Sequence, residues 1–260
     1  MNKLIKLGAA LICCAIVLKA LSSAASASEV RCWYIKRNGN KTPTFDKYAD
    51  ELSEFDCFYI DKVAADAGQK KLYLTFDAGY DNGNLSSILD TLREENVPAA
   101  FFILKNLIYK NKELVSRMAN EGHLVCNHTA SHKDLTQSTK EEIEKEIYRL
   151  EEIYTKETGN IMSKYFRFPE GKYSAEALKN ISDLGYKTVF WSFAYEDWDN
   201  NNQPSEQYAI KKIIENTHCG AIILLHPNSK TNKNILPTLI KLWKSQGYQF
   251  GTLDELTANK

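Results

Sequence analysis

The chain has 260 residues, of which 43% are hydrophobic and 25% are charged, a composition that excludes an intrinsically disordered protein. Its 33 basic and 33 acidic residues cancel, so the charge balance gives no support for nucleic-acid binding and we expect no nucleic-acid partner. This length is sufficient for one large hydrophobic core or two small ones.

Residues 1–27 have the pattern of a signal peptide. Lys3 and Lys6 precede an uncharged, mostly apolar run at 7–18, and Ala25-Ser26-Ala27 fits the small-residue cleavage pattern. That run is shorter than the ~20 residues needed to span a bilayer. We predict cleavage after about Ala27 and export to the cell envelope, which leaves 30 basic and 33 acidic residues; an uncleaved anchor is the alternative.

Residues 28–70, here called the lead-in segment, precede the first long apolar run. The segment contains Cys32 and Cys57, which could form a disulfide in an exported protein. Cys126 and Cys219 lie in or beside predicted strands, where buried thiols are expected. The spacing of these cysteines does not match a zinc module, so we do not predict a cysteine metal site.

Beyond residue 70, apolar runs alternate with amphipathic helical segments. The runs are mostly uninterrupted, which is typical of strands covered on both faces. The seven predicted strands are residues 71–77, 97–103, 123–127, 165–168, 187–193, 221–226 and 248–253. Strands that alternate with helices predict an α/β fold with a parallel sheet.

Four helices are predicted between these strands. Ser138 is expected to cap the longest, with Glu141 as its capping-box partner and Gly159 at its end. Another begins near Ser174 and stops at Gly185, and the remaining two cover residues 85–92 and 235–243. No G-x-G-x-x-G loop occurs, which disfavours the dinucleotide-binding fold. We predict a distorted (β/α) barrel with about seven parallel strands, forming one domain over residues 71–260.

Polar residues follow five of the predicted strands. They are Asp77, Asn127-His128, Arg167, Asp197-Trp198 and His226. Because the carboxyl ends of barrel strands converge on one face, we expect these side chains to surround one cleft. An acid, a guanidinium and imidazoles would then lie together.

His128 and His132 form an H-x-x-x-H pattern that places two imidazoles within reach of one divalent metal. A guanidinium at Arg167 would hold Asp77 ionised. His226 is suited to protonating a leaving amine, the alternative being a histidine that caps the core.

Two further positions have open interpretations. Asp197 either caps a turn or orients an imidazole. Trp191 and Trp198 are each candidates for core packing or for a sugar-stacking surface; core packing is favoured for Trp191, and Trp198 is predicted to bind substrate.

Five segments in this order resemble the motifs of the polysaccharide deacetylases, the NodB-homology or family-four carbohydrate esterases. The segments are 75–79 (TFDAG), 128–132 (HTASH), 167–171 (RFPEG), 194–198 (AYEDW) and 224–226 (LLH). The resemblance extends over about residues 71–257. It implies a metal-dependent hydrolase that releases acetate from an N-acetylated sugar.

The resemblance also implies residue roles. Asp77 would be the general base, His226 the general acid and Arg167 the residue that positions Asp77, with Asp197 as a fourth catalytic residue. His128 and His132 would hold a divalent metal, with zinc favoured and its identity open. Substrate contacts would come from Pro169 and Glu170, and the Glu170 backbone N–H would help to stabilise the oxyanion.

Two departures from the motifs narrow the resemblance. Ala78 and Ala194 stand where the family has aspartates. Both losses, together with the lead-in segment, resemble the delta-lactam-biosynthetic branch that acts on muramic acid in spore-cortex peptidoglycan. The implied partner is a peptidoglycan glycan strand bound by a monomer, with no protein partner.

Ala78 removes a metal ligand, for which Asp81 or a substrate carboxylate could substitute. Two alternative functions remain. One is a deacetylase of N-acetylglucosamine in chitooligosaccharide or vegetative peptidoglycan, and the other is a non-catalytic glycan-binding protein with a degenerate metal site.

Overall fold

The computed structural model describes residues 29–258. The predicted signal peptide lies outside the described residues. Within 29–258, no helix combines the length and the apolar character that crossing a membrane requires.

The central sheet is formed by eight strands among the described residues. They are β4 (Cys57–Phe58), β5 (Lys71–Ala78), β6 (Ala100–Ile103), β7 (Leu124–Asn127), β8 (Ser163–Phe166), β10 (Lys187–Val189), β11 (Ala221–Leu225) and β12 (Gln249–Phe250). Short antiparallel pairs lie outside it, formed by β1 (Arg31–Cys32) with β9 (Lys172–Tyr173) and by β2 (Ile35–Asn38) with β3 (Lys41–Phe45).

The central sheet is parallel throughout, in the order β11-β5-β6-β7-β8-β10-β4, with β12 also beside β5. The chain after β10 returns to β11, where Phe193 bridges Ile223 and the Leu224 N–H donates to the Phe193 carbonyl at 2.9 Å. The sheet therefore curls on itself, and the prediction of a distorted barrel with seven parallel strands is confirmed. The eighth strand, β4, lies within the lead-in segment.

Nine α-helices are formed within residues 29–258. They are α1 (Lys62–Asp66), α2 (Leu85–Glu94), α3 (Lys105–Lys110), α4 (Lys112–Asn120), α5 (Lys140–Thr158), α6 (Ala175–Asp183), α7 (Glu206–Glu215), α8 (Lys230–Ser245) and α9 (Leu253–Ala258). The four predicted helices correspond to α2, α5, α6 and α8. Two 3₁₀ turns cover Glu51–Phe55 and Pro169–Gly171.

The start of α5 differs by one residue from the prediction. Thr139, not Ser138, is the N-cap: its hydroxyl accepts from the Glu142 N–H at 3.3 Å, and the Glu142 carboxylate accepts from the Thr139 N–H at 3.1 Å. This reciprocal pair satisfies two helix-terminal donors, which Ser138 and Glu141 do not do here. Gly159 ends the helix in the left-handed conformation, as predicted.

Alternation along β5 brings a carboxylate to the end of the barrel interior. Successive side chains of a strand point to opposite faces, so one set packs under the helices and the other faces inward. The helix-facing residues are Leu72, Leu74 and Phe76, and the inward series is Tyr73, Thr75 and Asp77. Asp77 therefore lies at the carboxyl end of the barrel, two residues after the buried Thr75 and on the same face of the strand.

The cysteines agree only in part with expectation. Cys32 is an exposed free thiol, so the disulfide with Cys57 that the sequence left possible is not formed in this structure. The Cys57 thiol is buried and donates to the Phe55 carbonyl at 3.5 Å. Cys126 is buried as predicted, and burial raises the pKa of its thiol well above the ordinary value, while Cys219 is partly exposed.

Candidate active site

Of the polar residues predicted at the strand ends, four line one cleft of about 810 Å³, namely Asp77, His128, Trp198 and His226. The full set of lining residues is Asp77, Gly79, Tyr80, Leu104, His128, His132, Glu170, Trp191, Ala194, Tyr195, Trp198, Leu224, His226 and Asn228. Asn127 is not among the lining residues: it is buried and its amide donates to the Ile147 carbonyl. Arg167 and Asp197 lie behind this lining, where each contacts a residue of the cleft wall. A smaller cavity of about 210 Å³ near Phe58 and Leu256 contains none of the residues predicted at the site.

Asp77 is held by a fully buried arginine. The Arg167 Nη1 group donates to Asp77 Oδ1 at 2.8 Å, and Nη2 donates to Thr75 Oγ1 at 3.0 Å. The remaining donors reach the backbone, with Nε 2.8 Å from the Val189 carbonyl and Nη2 3.3 Å from the Phe190 carbonyl. These four directed contacts hold the guanidinium in place against the carboxylate.

The charge state of Asp77 follows from these contacts. Burial alone would raise the pKa of its carboxyl, but the opposite charge on Arg167, with smaller contributions from His128 and His226, lowers it below the ordinary value. Asp77 is therefore ionised at neutral pH and is available as a hydrogen-bond acceptor and a base.

His128 is fixed in one tautomer. It is 3% exposed, and its Nδ1–H donates to the Arg167 carbonyl at 2.8 Å, an assignment that follows from the acceptor-only partner. The opposite nitrogen, Nε2, faces the cleft 3.6 Å from Asp77 Oδ2. Burial lowers the pKa of His128 to about 4, so its imidazole is neutral and carries a free lone pair on the cleft side.

The loop from His128 to His132 is strained. Thr129 and His132 have φ values of 70° and 61°, a region that non-glycine residues rarely adopt. The side chain of Asn127 accepts from the Thr129 N–H at 2.9 Å, and Glu146 Oε2 accepts from the Ser131 N–H at 2.9 Å, so the loop is held in place. The result is that the two imidazole ring centres lie 5.0 Å apart.

A second charged pair lies across the cleft. The Nδ1–H of His226 donates to Asp197 Oδ1 at 2.7 Å, and Asp197 Oδ2 accepts from the His226 N–H at 2.9 Å and from Asn232 at 2.5 Å. The Asp197 side chain is fully buried, whereas that of His226 remains 22% exposed. Of the two roles left open for Asp197, the structure has it orient an imidazole.

The charge on Asp197 raises the pKa of His226. Burial alone would lower the pKa of His226, but the adjacent carboxylate outweighs this and raises the pKa above the ordinary histidine value. A histidine with a raised pKa and its Nε2 directed to the cleft can give up a proton to a bound group.

The segment after β8 closes another side of the cleft. Pro169 is buried, and Glu170 has a left-handed φ of 56°. Gly171 also has a positive φ, and a Cβ there would lie 2.8 Å from the Trp191 ring. Glycine is thus required for this chain reversal, which leaves Glu170 on the cleft wall.

Trp191 is not simply a core residue. It is only partly buried, lines the cleft and has the Arg167 guanidinium 5.7 Å from its ring centre. Trp198 lines the cleft and is 59% exposed, consistent with the predicted substrate surface.

Sequence reasoning missed an asparagine network at the cleft mouth. The Asn228 amide donates to Tyr80 Oη at 3.1 Å, to the Trp198 carbonyl at 2.9 Å and to Asn200 Oδ1 at 3.0 Å. Asn82 donates to the Asn228 carbonyl at 2.7 Å. The network ties together the loops after β5 and β11 and the loop that contains Trp198; the only signal in the sequence is the local enrichment in asparagine.

The residues can be tested for a divalent metal. The His128 tautomer directs a lone pair into the cleft from an imidazole that is anchored by a backbone carbonyl, the usual arrangement of a metal-ligating histidine. With His132, two nitrogen donors are available, which suits a divalent transition metal. Residues 29–258 contain no cluster of three or more His, Cys, Asp or Glu groups that could hold a metal. The described chain therefore fits a metal with two protein nitrogens and not a three-ligand catalytic zinc site.

The side chain of Asp81 is engaged at the start of α2. Its Oδ1 accepts from the Gly83 N–H at 3.0 Å and from the Leu85 N–H at 3.1 Å, which caps the start of α2. It is also not among the cleft-lining residues. Of the two substitutes considered for the missing ligand at Ala78, these contacts favour a substrate carboxylate over Asp81.

Comparison with known proteins identifies the family. Residues 64–189 match the family described as polysaccharide deacetylase. Over 254 residues the chain is 39% identical to the peptidoglycan-N-acetylmuramic acid deacetylase PdaA of Bacillus subtilis, covering 96% of this chain and 95% of that protein. This chain belongs to the polysaccharide deacetylases. It is a hydrolase of that family.

Solved structures of polysaccharide deacetylases share the fold. The structure of Bacillus subtilis PdaA, a family 4 carbohydrate esterase, superposes with a TM-score of 0.83 at 37% identity, covering 89% of this chain and 98% of that chain. A family 4 pseudoenzyme from Bacillus anthracis gives a TM-score of 0.66 at 26% identity, covering 72% of this chain and 65% of that chain. The fold is thus found in proteins described as enzymes and as a pseudoenzyme, and activity must be argued from the cleft.

A second curated relative has a different named substrate. The peptidoglycan-N-acetylglucosamine deacetylase PgdA of Listeria monocytogenes is 34% identical over 191 residues, covering 74% of this chain and 40% of that protein. The similarity to PdaA extends over a larger share of both chains.

Proposed function

We propose that this protein hydrolyses the acetamido group of N-acetylmuramic acid in peptidoglycan glycan strands. The observation that carries the proposal is the pair of opposed proton-transfer groups in one cleft, Asp77 held by Arg167 and His226 held by Asp197. The extent of the similarity to PdaA, a muramic acid deacetylase, supports this substrate. Because the substrate is outside the cytoplasm, the proposal includes export and removal of residues 1–27.

The electrostatics of the cleft are compatible with a sugar that carries a carboxylate, as muramic acid does on its lactyl group. Two acidic residues are part of the cleft lining, Asp77 and Glu170. Arg167 neutralises the first, and Lys172 Nζ lies 2.7 Å from the carboxylate of the second. A substrate carboxylate would therefore not meet an uncompensated negative charge from this lining.

Asp77 acts as the general base in this mechanism. Its ionised carboxylate takes a proton from the attacking water, and Arg167 keeps the carboxylate in place while the proton is transferred. His226 acts as the general acid and gives a proton from Nε2 to the departing amine nitrogen, while Asp197 holds the opposite side of the ring. Glu170 lines the cleft, and its backbone N–H would be a donor for the oxyanion.

His128 and His132 would hold a divalent metal, with zinc as the first candidate. When bound, the metal would supply Lewis-acid polarisation of the amide carbonyl. His128 serves this role through Nε2, because its Nδ1–H is engaged with the Arg167 carbonyl.

Replacing Asp197 with asparagine is expected to shift the alkaline limb of the kcat/KM profile to lower pH. The carboxylate raises the pKa of His226, so protonated His226, and the activity that needs it, persists to higher pH and is lost as pH rises through this pKa. Without the Asp197 charge, the pKa of His226 is lower and activity is lost at a lower pH. We also expect kcat to fall about a hundredfold or more, because the His226 ring is no longer held in its orientation. Steady-state rates of acetate release across pH measure both effects. An alkaline limb at the wild-type position would contradict the role of Asp197.

Acetate release from two defined glycans tests the substrate. The full chain is incubated with peptide-stripped peptidoglycan glycan and with a chitooligosaccharide of equal length. We expect acetate from the first and only background from the second. Acetate from chitooligosaccharide alone would favour an N-acetylglucosamine deacetylase, and acetate from neither would favour a glycan-binding protein without catalysis.

Mass spectrometry of the first product tests whether a muramic delta-lactam follows. Deacetylation alone removes the acetyl group, whereas closure of the freed amine on the lactyl carboxyl removes one water in addition. Lactam in the product of the purified protein would support formation of the spore-cortex modification by this protein. A stable free amine would mean that ring closure needs a separate step.

A further inference from the structure

A second groove of about 370 Å³ adjoins the catalytic cleft. Its walls come from β2 of the lead-in segment, from the loop after Phe193 and from α7, and it shares Tyr195 and Trp198 with the cleft. Every residue that lines the groove lies outside 64–189, the stretch that matches the family description. The groove is therefore built from parts of the chain that the family match does not include.

Two aromatic rings are exposed along this groove. Trp198 is 59% exposed and Tyr208, on α7, is 53% exposed. Large aromatic rings left in solvent mark binding surfaces when they line a common depression. A sugar ring presents C–H groups on its face, which carry partial positive charge and suit the electron-rich face of an aromatic ring.

The backbone around Trp198 is fixed by hydrogen bonds from two side chains. The Asn228 amide donates to the Trp198 carbonyl at 2.9 Å. The Gln203 amide donates to the carbonyls of the residues on either side, at 2.9 Å for Asp197 and 2.7 Å for Asp199. The backbone that carries the indole is thus fixed before substrate binds, which lowers the ordering cost of an interaction there.

The remaining lining supplies hydrogen-bonding groups of both kinds. Arg37, Asn202 and Lys212 offer donors, and Glu196 and Asp199 offer acceptors. Arg37 also donates to the Ala194 carbonyl at 2.6 Å, which joins the lead-in segment to the loop before Asp197. Aromatic faces combined with mixed polar groups suit a ligand with many hydroxyls, and the balance of charge gives no preference for a strongly charged one.

We propose that this groove is a second sugar subsite, which binds the residue next to the N-acetylated sugar whose acetyl group is removed. The inference rests on the proposed function, because it takes a glycan strand as the substrate. Tyr195 and Trp198 line both sites, so a strand that lies in the cleft can extend into the groove. The lead-in segment contributes to substrate binding through Arg37.

The dependence of rate on glycan length tests the subsite. The ratio of kcat/KM for a peptide-stripped hexasaccharide to that for a disaccharide is measured in the wild type and in Tyr208→Ala and Arg37→Ala. We expect the ratio to fall about tenfold in each variant, the change produced by losing a contact worth ~1.4 kcal/mol. Tyr208→Phe keeps the ring and should restore the wild-type ratio. Tyr109→Ala, which removes a tyrosine that is 60% exposed and lines neither site, is the matched control and should keep the wild-type ratio.

A wild-type ratio in both Tyr208→Ala and Arg37→Ala would overturn the subsite while leaving the deacetylase intact. If the wild-type protein releases no acetate from any glycan, the proposed function fails, and calorimetric binding of the hexasaccharide to the same variants decides the subsite. Weaker binding by Tyr208→Ala than by Tyr109→Ala would then support the groove, and equal binding would overturn it.

Discussion

Asp77→Asn is expected to lower kcat/KM by about a thousandfold. Asparagine keeps the shape of the side chain and still accepts a hydrogen bond from Arg167, but it cannot take a proton from water. General-base catalysis contributes about a hundredfold to ten-thousandfold in other enzymes, and the estimate is the middle of that range. The rate of acetate release at substrate concentrations well below KM gives kcat/KM directly.

Asp81→Asn is the matched control, four residues further along the chain, in the loop after β5. Its carbonyl oxygen can still accept from the Gly83 and Leu85 N–H groups, so the start of α2 remains capped. We expect activity within about twofold of the wild type, because a change below ~0.5 kcal/mol is usual for a surface site. A large loss in Asp81→Asn would show that the missing ligand at Ala78 is replaced by Asp81 after all, and near-normal activity in Asp77→Asn would refute the base assignment.

Arg167→Met is expected to lower the free energy of unfolding by about 3–5 kcal/mol, the usual cost of removing one partner of a buried ion pair. Asp77 would lose its charge partner, and the carbonyls of Val189 and Phe190 would lose their guanidinium donors. Activity should fall along with stability, because Asp77 would no longer be held. Urea unfolding monitored by tryptophan fluorescence gives the stability change, provided the slope with denaturant is the same in both proteins.

Arg117→Met provides the comparison on the surface. Arg117 is 27% exposed and pairs with Glu121 and Asp90. Arg117→Met therefore removes one positive charge, as Arg167→Met does, but removes it from ion pairs that are accessible to solvent. Such pairs contribute about 0–1 kcal/mol, and we expect a change in that range. A similar small change for Arg167→Met would mean that the buried pair does not hold the barrel end together.

The strand ends were the most predictable part of the site. Uninterrupted apolar runs that stop at Asp77 and His226 indicate both the strands and the positions of the polar groups, because parallel strands bring their carboxyl ends to one face. The barrel followed from the same pattern, and all seven predicted strands occur in it.

Long-range partners were not predictable in the same way. The contact between Asp197 and His226 decides what the aspartate does, yet it joins residues 29 apart, and a turn cap remained equally compatible with the sequence. Strand β4 was missed because it has only two residues, too few for any periodicity to show. The N-cap of α5 was predicted one residue too early, at Ser138 and not Thr139, because serine and threonine can both cap a helix through the side-chain hydroxyl.

The exposed groove beside the cleft could not be inferred either. Arg37 and Tyr208 are separated by most of the chain and belong to segments whose composition is ordinary for a surface. Only the folded barrel brings them to the same side of Trp198.

The pairing of β4 with β10 has a consequence for how the protein is made. Cys57 lies opposite Thr188, a partner that is synthesised 131 residues later. The first strand of the barrel to leave the ribosome is therefore among the last that can be paired, and its neighbours in the lead-in segment, including Trp33, have no complete surface to pack on until then. Apolar surface that is exposed in the incomplete chain favours aggregation, so the late pairing of β4 is a point at which folding of this protein can fail.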